Sequence, residues 1–455
     1  MIFGADSIYV KQPVGGPVNY RLPIGFVTLL IAVAGCSGVA NLPSGPANQT
    51  AFSPAVQVSG RTVHSHPGGS ASFQVVYTFQ DSADGGSPFA GVTVDSAGNL
   101  YGTTSSGGSG YGTAFELKNT AKGYKYVVLH TFAGGSDGAD PYARLMPGAG
   151  GKLYGTTVNG GGGGAGTVFE LLPGKAPRTE RVLYAFTQSV QGANPSAGDL
   201  TVDSNGAIYG TTQYGGAYGQ GAVFKLSGAG KEKVLYSFGA NSNDGTQPYA
   251  GVTFDRAGNI YGTTALGGEG YGTVFELTPA KREWTEQILH TFGNVSDGGT
   301  PYAGLSFDAQ GNLFGATTQG PGSGGGTFFE LTPSNGSWSF NTIYSMSGWG
   351  ISGEFRTAYL DPSDNIFGTT HCDGVYNSGS VYELQRSGGT YNYVDLYDFT
   401  GGTDGQYVFS NPAFDSHGNI FGTTNVGGSG YGVVWEVRSS PQNRRTPRVI
   451  STAPG

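Results

Sequence analysis

Short apolar runs recur along the chain, each bounded by Gly, Asn, Asp or Pro. That pattern reads as β-strands separated by turns, and so as an all-β protein. Four such runs follow one another between residues 233 and 277: "KVLYSF" (233–238), "AGVTFD" (250–255), "NIYGTT" (259–264) and "GTVFEL" (272–277). Val, Ile, Tyr, Phe and Thr dominate them, the residues that fit a pleated, half-buried surface. The "AGN" between the second and third runs predicts a tight hairpin, because Gly and Asn tolerate positive φ. A Gly-rich loop joins the third run to the fourth.

The same pattern returns along most of the chain. The glycine of "YGTT" or its equivalent falls at Gly102, Gly155, Gly210, Gly262, Gly315, Gly368 and Gly422, at steps of 53, 55, 52, 53, 53 and 54 residues. So steady a period marks one structural unit used seven times, and a four-stranded unit of this length reads as a β-propeller blade. A solenoid would need polar caps, which are not evident. The glycine in "YGTT" is expected to let adjacent blades approach closely. The phase of the repeat predicts how the ring closes. The series begins with "VVYTF" (75–79), of the "VLYSF" type, and ends with "GVVWEV" (432–437), of the "GTVFEL" type. With "AGVTFD" on the central channel, the last blade lacks an outer strand, and Val75–Phe79 supplies it. "PRVIST" (447–452) competes for that place.

The repeated "LYSF…DG…P…AG…D…GN[LI][YF]GTT…GG…GYGTVFEL" resembles the GloVer-type tandem-repeat proteins, also called choice-of-anchor repeat proteins, over roughly residues 75–437. The resemblance implies a shared repeat carried on differing surface anchors. It implies no catalytic residues.

The N-terminal region bears on that anchor. Leu22–Ala34, "LPIGFVTLLIAVA", follows Lys11 and Arg21 and is too short for a comfortable membrane span, but right for the apolar core of a signal peptide. "VAGC" (33–36) follows, and resembles a bacterial lipoprotein signal in which Cys36 is acylated. An ordinary signal peptide with an incidental cysteine is the alternative. The expected organisation is a signal peptide over 1–35, a lipid attachment and Ser/Gly/Pro/Ala-rich spacer over 36–70, a propeller over 71–437 and a tail over 438–455. The expected location is extracytoplasmic, anchored to the cell envelope. The other cysteine is Cys372; a disulfide between the two would tie the leader to the far end of the chain, so none is expected.

Charge narrows the partners. The net charge is −8, and the Lys/Arg residues gather only in the tail "RSSPQNRRTPR", so a nucleic-acid footprint is missing. A monomer is expected, with no cofactor and no metal. Calcium would need six to eight oxygens where each loop offers one dependable carboxylate.

Antiparallel strands put alternate loops on one face, so the loop after "VLYSF" and the loop after "YGTT" lie together. The first carries Asp84, Asp137, Asp244, Asp297 and Asp404, with Phe89, Tyr142, Tyr249 and Tyr302; the second carries Tyr111, Tyr271 and Tyr431. One reading makes this face a platform for a glycan or an envelope protein. The other makes the aspartates turn residues and packs the tyrosines between blades. The sixth repeat departs most, with Trp349, Glu354 and Arg356 in its first loop and His371, Cys372 and Asp373 in its second. A hydrolase or lyase site with His371 as base is the competing functional reading. His130 and His290, at the tyrosine position of "LYSF", and the "FEL" glutamates read as structural.

Overall fold

The computed structural model describes residues 72–438, apart from 196–197, 229, 282, 294–296, 322–324 and 347–358. The chain divides into two units, 1–59 and 60–455, and every described residue belongs to the second. Its strands form seven four-stranded antiparallel sheets, and with them the seven-bladed β-propeller expected from the repeat. Blade 1 runs outward through Thr93–Val94, Leu100–Thr104, Thr113–Thr120 and Gly123–Thr131. Blades 2 to 6 repeat that meander from Met146–Pro147 to Thr390–Asp398. Blade 7 takes Ala413–Phe414, Ile420–Thr424 and Val433–Arg438, and its outer strand is Ser72–Thr78 from the start of the series. The closure expected of "VVYTF" is therefore the one that forms, while residues 447–452 lie outside those described.

The innermost strands are shorter than the six-residue runs suggested. Each pairs only two residues, and in every blade but the second an aspartate then turns the chain. In blade 1, Asp95 Oδ1 accepts from the Ala97 and Asn99 amides, at 2.9 and 2.8 Å, and Oδ2 accepts from Asn99 Nδ2 at 2.8 Å. The carboxylate replaces the ladder partner with its own turn. Gly98 takes the positive φ here, at 77°. Asn99 contributes its side chain and not the unusual backbone angle expected of it.

Each outer strand carries a bulge at one and the same repeat position. The extra residue is Leu129, Leu183, Leu235, Leu289, Ile343, Leu396 or, in the closing strand, Val76. It is the Leu of "VLYSF". A bulge breaks strict alternation and increases twist, which is why Leu and Tyr can both be apolar neighbours there.

The glycine of "YGTT" serves its own blade, correcting the expectation. A β-carbon on Gly262 would lie 2.6 Å from Cζ of Phe275, its cross-strand partner in the same sheet. Gly102, Gly155, Gly210 and Gly315 make the same room for Phe115, Phe169, Phe224 and Phe329, and Gly422 makes it for Trp435. Those large rings are fully buried, so the missing side chain is exchanged for a ring that fills the blade. The close approach between blades belongs to a different glycine, the one opening the third strand. A β-carbon on Gly272 would overlap the Thr264 carbonyl oxygen and come within 2.7 Å of Pro301 Cδ in the next blade.

The threonine after "YG" ties blades together. Thr103, Thr211, Thr263 and Thr369 donate to the backbone oxygens of Ala143, Ala250, Ala303 and Ser410 in the following blade, at 3.0, 2.8, 2.8 and 2.7 Å. Thr423 donates to Ala90 at 2.8 Å and so links blade 7 to blade 1.

Candidate functional site

The two loops placed together by the strand count do meet. Gly86 pairs with Ser106, Ala139 with Asn159, Gly299 with Gln319 and Gln406 with Val426, each across the same two loops of one blade. Gly245–Thr246 and Leu266–Gly267 extend that contact into a small sheet. This loop face carries most of the residues singled out above.

The five aspartates are spent on holding their own loops. Asp84 Oδ2 accepts from Tyr77 Oη at 2.9 Å and from the Gln80 amide at 3.1 Å. Asp244 accepts from Tyr236 Oη at 3.2 Å and from the Gly239 and Ala240 amides at 2.8 Å each. Asp404 accepts from Tyr397 Oη at 2.9 Å and from the Thr400 amide at 2.8 Å. Where the tyrosine is a histidine the bond persists: His130 meets Asp137 at 3.3 Å, and His290 meets Asp297 at 2.9 Å. Burial pulls both imidazoles below their ordinary value, against the aspartates that draw them up. Pairing the Tyr or His of "LYSF" with the Asp seven or eight residues on explains both positions at once.

Tyr111, Tyr271 and Tyr431 sit on blades 1, 4 and 7. Their carbonyls accept from the Asp140, Thr300 and Ser87 amides of the next blade, at 3.2, 2.7 and 2.8 Å. Tyr111 and Tyr431 are exposed, and the Tyr111 ring covers the backbone at Gly134. No ring contact among the described residues brings the three together.

The aromatics that do gather are those leading into the innermost strands. Phe89 lies 4.8 Å from Phe409 and 4.7 Å from Tyr142, ring centre to ring centre, and Tyr249 lies 4.9 Å from Tyr302. They occupy one repeat position in blades 1, 2, 4, 5 and 7, and so form a collar where the loop face meets the channel. Burial, then Asp140 and Tyr249, raises the Tyr142 phenol well above its usual range.

Two residues further along the same strands, a second layer was missed by sequence reasoning. Arg144 of blade 2 donates from Nε to Asp199 Oδ2 of blade 3 at 2.8 Å, with Nη2 at 2.6 Å from the same oxygen. Asn411 of blade 7 donates from Nδ2 to that oxygen at 3.3 Å. Blades 3 and 7 are not neighbours, so this bond crosses the channel. Blades 1, 4 and 5 have Gly91, Gly251 and Gly304 at the equivalent position. Aligning the repeats exposes the signal: Arg, Asp and Asn stand in blades 2, 3 and 7 where blades 1, 4 and 5 have glycine.

The sixth repeat is reached only in part, since Trp349, Glu354 and Arg356 lie outside the described residues, as does Cys36. His371 is 1% exposed, with its ring 4.0 Å from Phe409 and 4.7 Å from Tyr407. Burial drives its pKa down to about 3, which leaves a neutral, weakly basic ring. Cys372 is also fully buried and is disulfide-bonded, correcting the expectation of an unpaired cysteine and removing a thiol nucleophile. Among the described residues no group of three or more His, Cys, Asp or Glu is placed to hold a metal.

Acid stability should report the His371 burial. An unfolded histidine titrates near 6.5 and this one near 3, so between those values the unfolded chain binds more protons and stability falls with falling pH. For this one group the slope reaches about 1.4 kcal/mol per pH unit. Urea unfolding between about pH 6 and pH 4 is expected to show His371→Phe losing stability less steeply than the wild type. Equal slopes would contradict a buried, neutral ring.

The profile described as the Gloeobacter/Verrucomicrobia repeat matches residues 49–269, 179–361 and 254–451. No curated protein matches significantly. Solved structures do, at low identity. A candidate oxidoreductase (glucose dehydrogenase) of Thermus thermophilus has 13% identity and a TM-score of 0.41, over 72% of this chain and 99% of its own. A candidate 6-phosphogluconolactonase of Bacteroides uniformis has 15% identity and a TM-score of 0.43, over 66% and 82%. A Dyadobacter fermentans protein of unknown function has 12% identity and a TM-score of 0.44, over 82% and 100%.

Proposed function

Since the chain belongs to the Gloeobacter/Verrucomicrobia repeat family, and its repeats build a propeller with an aromatic channel mouth, we propose that it is an extracytoplasmic binding module whose ligand, a glycan or an envelope protein, enters that mouth. One observation carries this reading: five blades present an aromatic ring at a single position around the axis, and neighbouring rings touch. Ligand sites are concave and mostly apolar, with a few convergent polar groups, and the channel mouth has both. The loop aspartates, committed to their own turns, favour the mouth over the outer loop face.

Binding is the readout. Wild-type protein screened against a glycan array and against envelope extract is expected to retain a saturable ligand without turning it over. Tyr142→Ala with Tyr249→Ala should weaken that ligand by roughly thirtyfold or more, the usual cost of truncating an anchoring aromatic. Tyr111→Ala, Tyr271→Ala and Tyr431→Ala combined should cost much less. The opposite ranking would move the site to the outer loops, and product formation would favour an enzyme.

Export is supported by the apolar run 22–34, which has the length of a signal-peptide core. The lipid anchor is proposed at Cys36, after the small residues Val33 to Gly35. The chain has two cysteines, so a lipid thioether on Cys36 would leave Cys372 as a thiol. Intact mass and alkylation of the membrane-extracted protein read both at once. A disulfide-bonded protein without lipid would overturn the anchor and leave export standing.

A further inference from the structure

We propose that Arg144, Asp199 and Asn411 form the floor of a site for a neutral, polyhydroxylated ring, the terminal sugar of a glycan, at the bottom of the aromatic mouth. The inference rests on the reading of the mouth as the binding site and goes on to name the ligand's chemistry.

The three residues occupy one repeat position in blades 2, 3 and 7, two residues along the strands from the collar. Residues two apart in an extended segment share a side, so the polar layer follows the aromatic one along the axis. Room for it comes from the glycines at the same position. A β-carbon on Gly91 would lie 2.6 Å from the Asn411 carbonyl oxygen, and one on Gly251 would overlap the Asp199 carbonyl oxygen.

Asn411 is the informative member. Its side chain is 4% exposed, and the bond to Asp199 fixes its orientation, because only the amide nitrogen can face a carboxylate. Oδ1 therefore points away from Asp199. It is buried and accepts no hydrogen bond from any described residue. A buried acceptor left unmade is costly and calls for a donor. A ligand hydroxyl supplies one.

Charge selects the class. Arg144 and Asp199 compensate each other at 2.6 Å, so the floor offers no net charge to an ionic group, and an anionic ligand would face the Asp199 carboxylate. Phe89 and Phe409 are buried against one another, while Tyr142, Tyr249 and Tyr302 are half-buried and leave aromatic surface for the C–H face of a sugar. Apolar walls, a neutral polar floor and one open acceptor suit a ring that is apolar on its faces and hydroxylated at its rim.

The test uses the full chain on an array of neutral glycans, acidic glycans and peptides, followed by calorimetry with the best neutral saccharide. Neutral glycans are expected to bind. Asn411→Leu should weaken them roughly tenfold, the loss of one buried hydrogen bond. Asn411→Asp guards against a folding defect. Two facing carboxylates push one pKa up, and once protonated the introduced carboxyl would again donate to Asp199 and offer its carbonyl oxygen. That variant should therefore bind weakly at neutral pH and regain affinity as pH falls, a profile no packing defect produces. Wild-type affinity in both Asn411 variants at every pH, with binding still lost in the collar variants, would overturn the floor and keep the mouth. Binding of acidic glycans or peptides alone would overturn the neutral-sugar class and keep the module. Binding by no member of the panel would overturn the module itself.

Discussion

Deletion of residues 72–79 is expected to cost more than about 5 kcal/mol and to open the ring, since Phe79 alone is a fully buried phenylalanine whose truncation costs about 3–5 kcal/mol. The segment joins three blades. It pairs with Val433–Arg438 of blade 7 from Ser72 to Thr78. Phe73 stacks on Tyr397 of blade 6 at 3.7 Å, and Tyr77 stacks on Tyr126 of blade 1 at 4.1 Å. Phe79 packs edge-on to Phe115 of blade 1 at 5.4 Å. Without it, blade 7 keeps three strands and the third exposes its ladder to solvent. Thermal melting with scattering should show an earlier, broader transition and an enlarged radius. An unchanged melting curve would mean that another segment takes the place.

The second large effect is expected from one methyl group. Gly272 has φ of 92°, and a β-carbon there overlaps the Thr264 carbonyl and presses on Pro301 of the next blade. Backbone strain of about 1–2 kcal/mol adds to overpacking of about 1–3 kcal/mol, so Gly272→Ala should cost about 2–5 kcal/mol. Gly270 is the control: its φ is 101°, yet a β-carbon meets nothing within 4 Å. Gly270→Ala should carry the strain alone, about 1–2 kcal/mol. Denaturant midpoints that fall equally in the two variants would remove the inter-blade contact from the account.

Much of this architecture could be read from the sequence because each blade repeats its local chemistry. The strand count, the shared loop face and the closure by residues 75–79 follow from the period and phase alone. Contacts inside a unit were less legible. "VLYSF" does not announce that its Leu is an extra residue, since a bulge needs knowledge of the partner strand. The glycine of "YGTT" reads as a gap between blades, yet it faces Phe275 in its own blade. The contact among Arg144, Asp199 and Asn411 was illegible for another reason. Its members stand far apart in the chain, in repeats that are not all neighbours, and only closing the ring brings Asn411 to Asp199. What is unique to this protein lies where repeats differ and meet, and a period averages such places away.

The bulge on every outermost strand bears on what happens when copies of the chain crowd together. A propeller ends each blade in an open edge, seven templates on which a neighbouring chain could extend a sheet. The inserted aliphatic residue twists that edge, and outward-facing Lys125, Arg181 and Lys233 set charge along it. Twist and charge together deny a neighbour a flat partner. A ring so edged can be crowded without polymerising through its rim.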